Sequence, residues 1–87
     1  MSYNYQIDKE QIFTEEGLVT FLKIRDRTLD ILIRYGSVMM EDALKAVTGN
    51  NWFHMACVDH MVTLGDIVEV IRTPDTPGQY RIFTKPI

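Results

Sequence analysis

The sequence predicts an α+β domain in which three helices precede a two-stranded antiparallel β-hairpin. Apolar residues recur every three or four positions as far as residue 64, and residues 67–72 are rich in β-branched side chains with a period of two. Gly36, Gly49 and Gly65 each follow a helical segment, where glycine readily adopts the left-handed conformation that ends a helix. A chain of 87 residues, 46% hydrophobic and 24% charged, has room for one such domain.

The first predicted helix covers residues 15–35. Its apolar residues follow three- and four-residue steps and form one stripe that we expect to face the core: Leu18, Phe21, Leu22, Leu29, Leu32 and Ile33. Arg25 interrupts this stripe. Asp30 and Arg34 are four residues apart, which predicts an ion pair on the outer face of the helix.

Two shorter helices are predicted next, at residues 39–48 and 51–64. The first has apolar residues at helical spacing, namely Met40, Ala43, Leu44 and Val47. Either Asn50 or Asn51 can cap the start of the second by accepting hydrogen bonds from its free N–H groups. We expect the second of these helices to turn Val58, Met61 and Val62 toward the core.

Residues 67–72 and 79–84 are predicted to be the two strands of the hairpin, because both are rich in β-branched and aromatic side chains. The loop between them, residues 73–78, contains two prolines and a glycine. Residues 1–16 form an N-terminal arm with several apolar side chains. Three interpretations of this arm stay open: an extra strand or short helix, packing on a partner chain, or a mobile segment.

Three helices followed by a hairpin resemble the winged-helix variant of the helix-turn-helix. The stretch VDHMVTLGDI at residues 58–67 is similar to the family's transition from recognition helix to wing, and LIRYGSV at residues 32–38 resembles the link between its first two helices. The resemblance covers about residues 17–85, so we assign residues 17–87 to a winged-helix domain. It implies binding of double-stranded DNA and a role in regulating transcription.

The distribution of charge along the chain argues against DNA binding by the third predicted helix. The net charge is −3, but it divides into −3 for residues 1–16, +2 for residues 17–34, −4 for residues 35–69 and +2 for residues 70–87. The third predicted helix contains no lysine or arginine, although phosphate contacts dominate the affinity of most DNA-binding proteins. The hairpin and the first helix are therefore better placed than the third helix to contact DNA.

The candidate binding residues lie on the third helix and the hairpin. We expect the start of the helix to face the DNA groove and two hairpin arginines to contact phosphates; the set is Asn50, Asn51, Trp52, Phe53, Ala56, His60, Arg72 and Arg81. Trp52 and Phe53 are adjacent on a helix and differ by about 100° in direction, so we expect one to be buried and the other partly exposed.

The alternative function is a winged helix used for protein–protein contact, with either another protein or a second copy of this chain as the partner. The acidic core and the cation-free third helix favour it, and Trp52 would then be the anchor of the interface. An acidic mimic of DNA is a weaker third interpretation, since it requires a denser run of carboxylates.

Catalytic and metal-binding functions have little support. His54, Cys57 and His60 form an H-x-x-C-x-x-H pattern, but on a helix the two histidines are about 120° and 9 Å apart, which is awkward for one tetrahedral ion. We therefore expect a buried cysteine, no metal, no cofactor, no small-molecule substrate and no enzymatic activity. The single cysteine and the absence of an 18-residue apolar run predict a cytoplasmic protein without a membrane partner.

Overall fold

The computed structural model describes residues 3–47, 49–70 and 80–86, and these residues confirm the predicted α+β class. They contain four α-helices, one 3₁₀ helix and a three-stranded antiparallel sheet. The elements follow one another as α1 (Tyr5–Asp8), the 3₁₀ helix (Lys9–Phe13), α2 (Glu15–Tyr35), β1 (Ser37–Met39), α3 (Met40–Ala43), α4 (Asn51–Leu64), β2 (Val68–Glu69) and β3 (Ile82–Thr84).

The N-terminal arm is helical where it is described. Asn4 caps α1 by accepting a hydrogen bond from the N–H of Gln6, and the 3₁₀ helix continues directly from α1. Both short helices pack against α4, and the 3₁₀ helix also packs against α2. Ile12 is fully buried there, so the arm contributes to the same core as the rest of the chain.

Helix α2 has the predicted limits, but it carries two apolar stripes rather than one. The buried stripe consists of Gly17, Phe21, Ile24, Thr28 and Leu32. Leu18, Leu22 and Ile33, which we expected in the core, are exposed. Each of these three residues directly follows a buried one, and successive residues on a helix differ by about 100° in direction. The exposed stripe is therefore rotated by about 100° from the face of α2 that packs on the core.

Gly17 explains how α2 and the 3₁₀ helix approach so closely. A Cβ atom at this position would overlap the backbone carbonyl oxygen of Gln11 and would lie 2.8 Å from Thr14 Oγ1. That hydroxyl also caps α2 by accepting a hydrogen bond from the N–H of Gly17 at 3.0 Å. Only glycine fits this junction without displacing the backbone.

Helix α3 is shorter than predicted. It ends at Ala43, whereas the apolar pattern predicts a helix over residues 39–48. Ala46 has a φ of 64°, a left-handed conformation that cannot continue a right-handed helix. Val47 is half-buried against the core without being helical, which explains why its spacing imitates that of a helix.

Helix α4 has the predicted limits and lies at the centre of the fold. Asn50 caps it, accepting hydrogen bonds from the N–H groups of Trp52 at 2.7 Å and Phe53 at 3.4 Å. The predicted inward positions of Val58 and Met61 are confirmed, whereas Val62 is exposed. The helix is apolar around much of its circumference, because α2 packs on one side and the N-terminal helices on another.

Within the described residues the sheet has three strands, not the two that the sequence predicts. β3 lies in the centre with β1 and β2 on either side, so Val38 and Glu69 both lie opposite Phe83. β1 is the short stretch that we interpreted as a link between helices. It has only three residues, of which Val38 alone is buried, and so short a segment has no recognisable period.

The predicted hairpin is only partly described. β2 and β3 pair antiparallel, but residues 71–79 lie outside the described residues. The predicted loop at residues 73–78 and the predicted contact residue Arg72 fall in this gap.

Candidate functional site

The residues predicted to face DNA at the start of α4 do not form one exposed surface. Asn50 and Asn51 are exposed, but the Asn50 side chain is engaged as the helix cap. Phe53 and Ala56 are buried in the core, and Trp52 is half-buried. The expectation that one of the two adjacent aromatic rings is buried and the other partly exposed is confirmed.

His60 faces the N-terminal helices rather than open solvent. Its Nδ1 lies 3.1 Å from the hydroxyl oxygen of Tyr5. The rings of Phe13 and Phe21 contact the imidazole edge-on, with centroid distances of 5.6 Å and 5.1 Å. The arm therefore covers the face of α4 that carries His60.

Arg81 lies inside the protein, with only 5% of its surface exposed. Its Nη2 donates hydrogen bonds of 2.8 Å to Asp59 Oδ1 and to Glu69 Oε1, and its Nε donates one of 3.1 Å to Glu69 Oε2. Its guanidinium also lies over the ring of Phe83. Because two carboxylates of the protein already bind this guanidinium, Arg81 is not placed to make the predicted phosphate contact.

Tyr3 completes this partly buried polar network. Its hydroxyl donates a 2.6 Å hydrogen bond to Asp59 Oδ2, and burial together with this contact raises the pKa of the phenol well above its ordinary value. The network joins the arm, α4, β2 and the residue that precedes β3. Side chains alternate between two faces along an extended chain, so Arg81, immediately before β3, and Phe83 within it point to the same inward side. This two-residue spacing is the sequence signal that could have identified Arg81 as buried.

An exposed apolar stripe runs along α2. It comprises Leu18, Leu22, Leu29 and Ile33, and we refer to it as the α2 stripe. Leu18, Leu22 and Ile33 are 46%, 43% and 72% exposed, while Leu29 is partly buried at the edge of the core. In the middle of the stripe Arg25 forms a two-pronged ion pair with Asp66, with N–O distances of 2.8 Å and 3.1 Å.

A second exposed apolar surface covers the outer side of the sheet. It is formed by Met39, Val68, Val70 and Ile82, which we call the sheet face. Val70 and Ile82 are linked by a backbone hydrogen bond, and Ile82 lies opposite Met39 in the register. A groove beside it is lined by Ile31 and Tyr35 of α2. The two surfaces leave large apolar side chains in contact with water on both α2 and the sheet.

Three cations form a basic cluster beside α2, consisting of Lys23, Arg27 and Lys45. They line a shallow pocket of about 420 Å³, and Arg27 Nη1 donates a 2.6 Å hydrogen bond to the backbone carbonyl of Lys45. Within the described part of the chain, none of the three has a carboxylate oxygen within 4 Å. The basic cluster was not among the predicted sites, although the +2 charge of residues 17–34 indicates it.

The H-x-x-C-x-x-H residues do not converge on one point. Cys57 is completely buried, and burial raises the pKa of its thiol to about 12, so it is not poised to act as a thiolate. Among the described residues, no group of three histidine, cysteine or acidic side chains is placed to hold a metal ion. Nor do these residues contain a helix that is both long and apolar enough to cross a membrane.

No known protein family, no curated protein and no solved structure matches this chain. The function is therefore inferred from the surfaces that the described residues expose.

Proposed function

We propose that this chain is a non-enzymatic winged-helix module that acts through protein–protein contact and assembles with a second copy of itself. The succession of α2, α3 and α4 followed by the paired strands β2 and β3 supports the winged-helix assignment. This module keeps α4 in its interior and uses its outer surfaces for assembly.

The observation that carries this proposal is the exposure of large apolar side chains on continuous faces of regular elements. Single exposed apolar residues are normal, but several on one face are typical of an interaction site. The α2 stripe and the sheet face each expose at least three such residues in a chain of 87. Covering them with protein removes apolar area from water, at roughly 25 cal/mol for each Å².

The positions of the predicted DNA-contact residues favour protein–protein contact over insertion of α4 into a DNA groove. Phe53 and Ala56 are buried, and Arg81 is engaged by two carboxylates. A helix enters the major groove with exposed polar or cationic side chains, and α4 contains neither lysine nor arginine.

Sedimentation velocity and light scattering of the purified chain test the proposal. Between low micromolar and submillimolar concentrations, we expect a reversible shift from monomer to dimer mass. A monomer mass over the whole range would overturn the proposed function.

The basic cluster favours a second candidate function, which is DNA binding through α2. Lys23, Arg27 and Lys45 form a compact positive surface that can contact phosphates, and each neutralised phosphate steepens the salt dependence of binding. A mobility-shift titration of a duplex at several salt concentrations tests it. The double variant Lys23→Gln/Arg27→Gln should lose retention while Lys9→Gln keeps it; absence of retention even at low salt would eliminate this candidate.

A further inference from the structure

We infer that the groove between β1 and α2 binds an extended peptide segment of a partner protein, which pairs with the free edge of β1 as an added strand. This segment carries an acidic side chain two residues before an apolar one. The inference goes beyond the proposed self-association and does not depend on it.

The edge of β1 offers backbone groups for pairing. β1 is an edge strand of the sheet and is paired with β3 on one side. The N–H of Met40, just after β1, donates a 2.8 Å hydrogen bond to the carbonyl oxygen of Arg81. Hydrogen-bonded and non-hydrogen-bonded residues alternate along an antiparallel strand, so Val38 also bonds to β3, whereas Ser37 and Met39 do not. The N–H and C=O of Ser37 and the N–H of Met39 therefore point away from β3, toward the groove.

This edge lacks the usual protection against a further strand. Edges are commonly blocked by charged residues, prolines or bulges. β1 consists of Ser37, Val38 and Met39 in continuous register with β3, and it has none of these features. All three residues line the groove, which has a volume of about 520 Å³. Within the described part of the chain, the edge is thus open to an extended peptide.

The wall of the groove opposite β1 is apolar along α2 and cationic at one end. Arg27, Ile31 and Tyr35 line it, and their four-residue spacing places them on one face of α2. Arg27 donates one hydrogen bond through Nη1 to the carbonyl of Lys45, which leaves its Nε and Nη2 groups for a ligand. Tyr35 lies two residues before β1 and Lys45 follows α3, so the two cations mark the end of β1 that leads into α3.

The spacing of this wall matches the period of a strand. Arg27 and Ile31 are separated by about 6 Å along the helix axis. Alternate residues of an extended chain share a face and lie about 7 Å apart. One face of the added strand can therefore place an acidic side chain beside Arg27 and an apolar one beside Ile31. Antiparallel pairing with β1, the more stable type, puts the acidic residue first in the peptide.

The charges at this end select the occupant. Asp42 also lines the groove, but among the described residues no carboxylate oxygen lies within 4 Å of Arg27 or Lys45. An acidic peptide complements both cations. A second copy of β1 brings no carboxylate to them, and a DNA duplex would use neither the strand edge nor the apolar wall.

A nuclear magnetic resonance titration tests the site with a terminally blocked probe peptide, Gly-Ser-Glu-Thr-Val-Thr-Ser-Gly. We expect saturable binding with the largest amide shifts at Ser37 and Met39. A probe with glutamine in place of glutamate should bind about tenfold more weakly, because it loses the charge that the two cations recognise. If millimolar probe leaves the β1 amides unchanged, the inference is wrong.

Methylation of the probe backbone tests strand pairing without altering the protein. In the inferred register, valine lies opposite Val38, and the threonine after it donates its N–H to the carbonyl of Ser37. A methyl group on that threonine nitrogen should weaken binding about tenfold. A methyl group on the valine nitrogen, which points away from β1, should leave the affinity unchanged. Equal effects of the two methyl groups would rule out strand addition.

Paired substitutions test the cationic end. Arg27→Gln/Lys45→Gln should weaken the glutamate probe about tenfold and change the affinity of the glutamine probe little. The control variant Lys9→Gln/Arg34→Gln removes the same two charges elsewhere and should keep the wild-type affinity. Circular dichroism verifies that both variants fold. Equal weakening in both variants would reduce the effect to net charge and contradict the site.

The failure of this inference is distinct from the failure of the proposed function. A chain that dimerises but leaves the probe unbound retains self-association and loses the peptide site. A chain that stays monomeric and binds the probe in the expected pattern retains the peptide site and loses self-association.

Discussion

Tyr3 donates a 2.6 Å hydrogen bond to Asp59, which follows it by 56 residues, and the same carboxylate accepts a hydrogen bond from Arg81. Asp59 projects from the middle of α4, so this helix holds the N-terminal arm and the central strand through one side chain. The arm is consequently an integral part of the core rather than an appendage. Removing either partner of Asp59 should lower the stability of the whole fold.

Tyr3→Phe removes the hydroxyl and leaves the ring in place. Because the hydrogen bond is made to a charged group, we expect the free energy of unfolding to fall by about 1.5 to 3 kcal/mol in urea titrations. Tyr35→Phe is the matched control, since Tyr35 is 76% exposed and should change stability negligibly. Equal effects of the two substitutions would show that the contact contributes nothing to stability.

Arg81→Met keeps most of the side-chain volume but removes the guanidinium that both Asp59 and Glu69 contact. Breaking a fully buried ion pair from one side typically costs about 3 to 5 kcal/mol. Because the Asp59 and Glu69 side chains are 24% and 23% exposed, we expect a loss at the lower end of this range by chemical denaturation. Arg34→Met removes an exposed partner of Asp30 and should cost less than about 0.5 kcal/mol. A small loss for Arg81→Met would indicate that the buried network is not needed for stability.

Gly17→Ala should destabilise the protein although alanine is the better helix former. In an open helix this change is favourable by about 1 kcal/mol, but here the added Cβ collides with the carbonyl of Gln11. Overpacking of this kind costs about 1 to 3 kcal/mol, so we expect a net loss of stability. Val19→Ala, at an exposed position of the same helix, provides the comparison and should be close to neutral. A stabilised Gly17→Ala protein would contradict the close approach.

Cys57 should make the protein sensitive to alkaline pH. Burial raises the pKa of its thiol to about 12, whereas in the unfolded chain the thiol titrates near its ordinary pKa of about 8.5. The folded state therefore keeps a proton that the unfolded state loses, so this contribution is complete below about pH 8.5 and declines as pH rises toward 12.

The wild type should thus lose about 1 to 2 kcal/mol more than Cys57→Ala between pH 8.5 and pH 10. Urea titrations of both proteins at the two pH values measure the difference. Tyr3 titrates in both proteins, so its own alkaline effect cancels in this comparison. An identical loss in the two proteins would show that the Cys57 thiol makes no contribution.

The limits of α2 and α4 could be predicted because they depend on interactions within one helical turn. The Asn50 cap and the glycines Gly36 and Gly65, with φ values of 80° and 81°, act locally. The choice between the two apolar stripes of α2 could not be predicted. Both have helical spacing, and the close approach at Gly17 helps to decide which one faces the core.

The candidate site was harder to predict for a related reason. An arginine in a hairpin is usually solvated, and the partners that bury Arg81 lie 12 and 22 residues away. The exposed surfaces became visible only when the core was known, because Leu18 and Leu22 have the same spacing as core residues. The separate charge of residues 17–34 did indicate that α2 carries an exposed basic face.

The position of α4 also has a consequence during synthesis of the protein. Asp59 binds Tyr3, which leaves the ribosome before it, and Arg81, which is translated 22 residues later. At 5 to 20 residues per second, that delay is about one to four seconds. During this interval Asp59 exists without the cation that it contacts in the folded chain, so the network that joins the arm to the sheet cannot yet be complete.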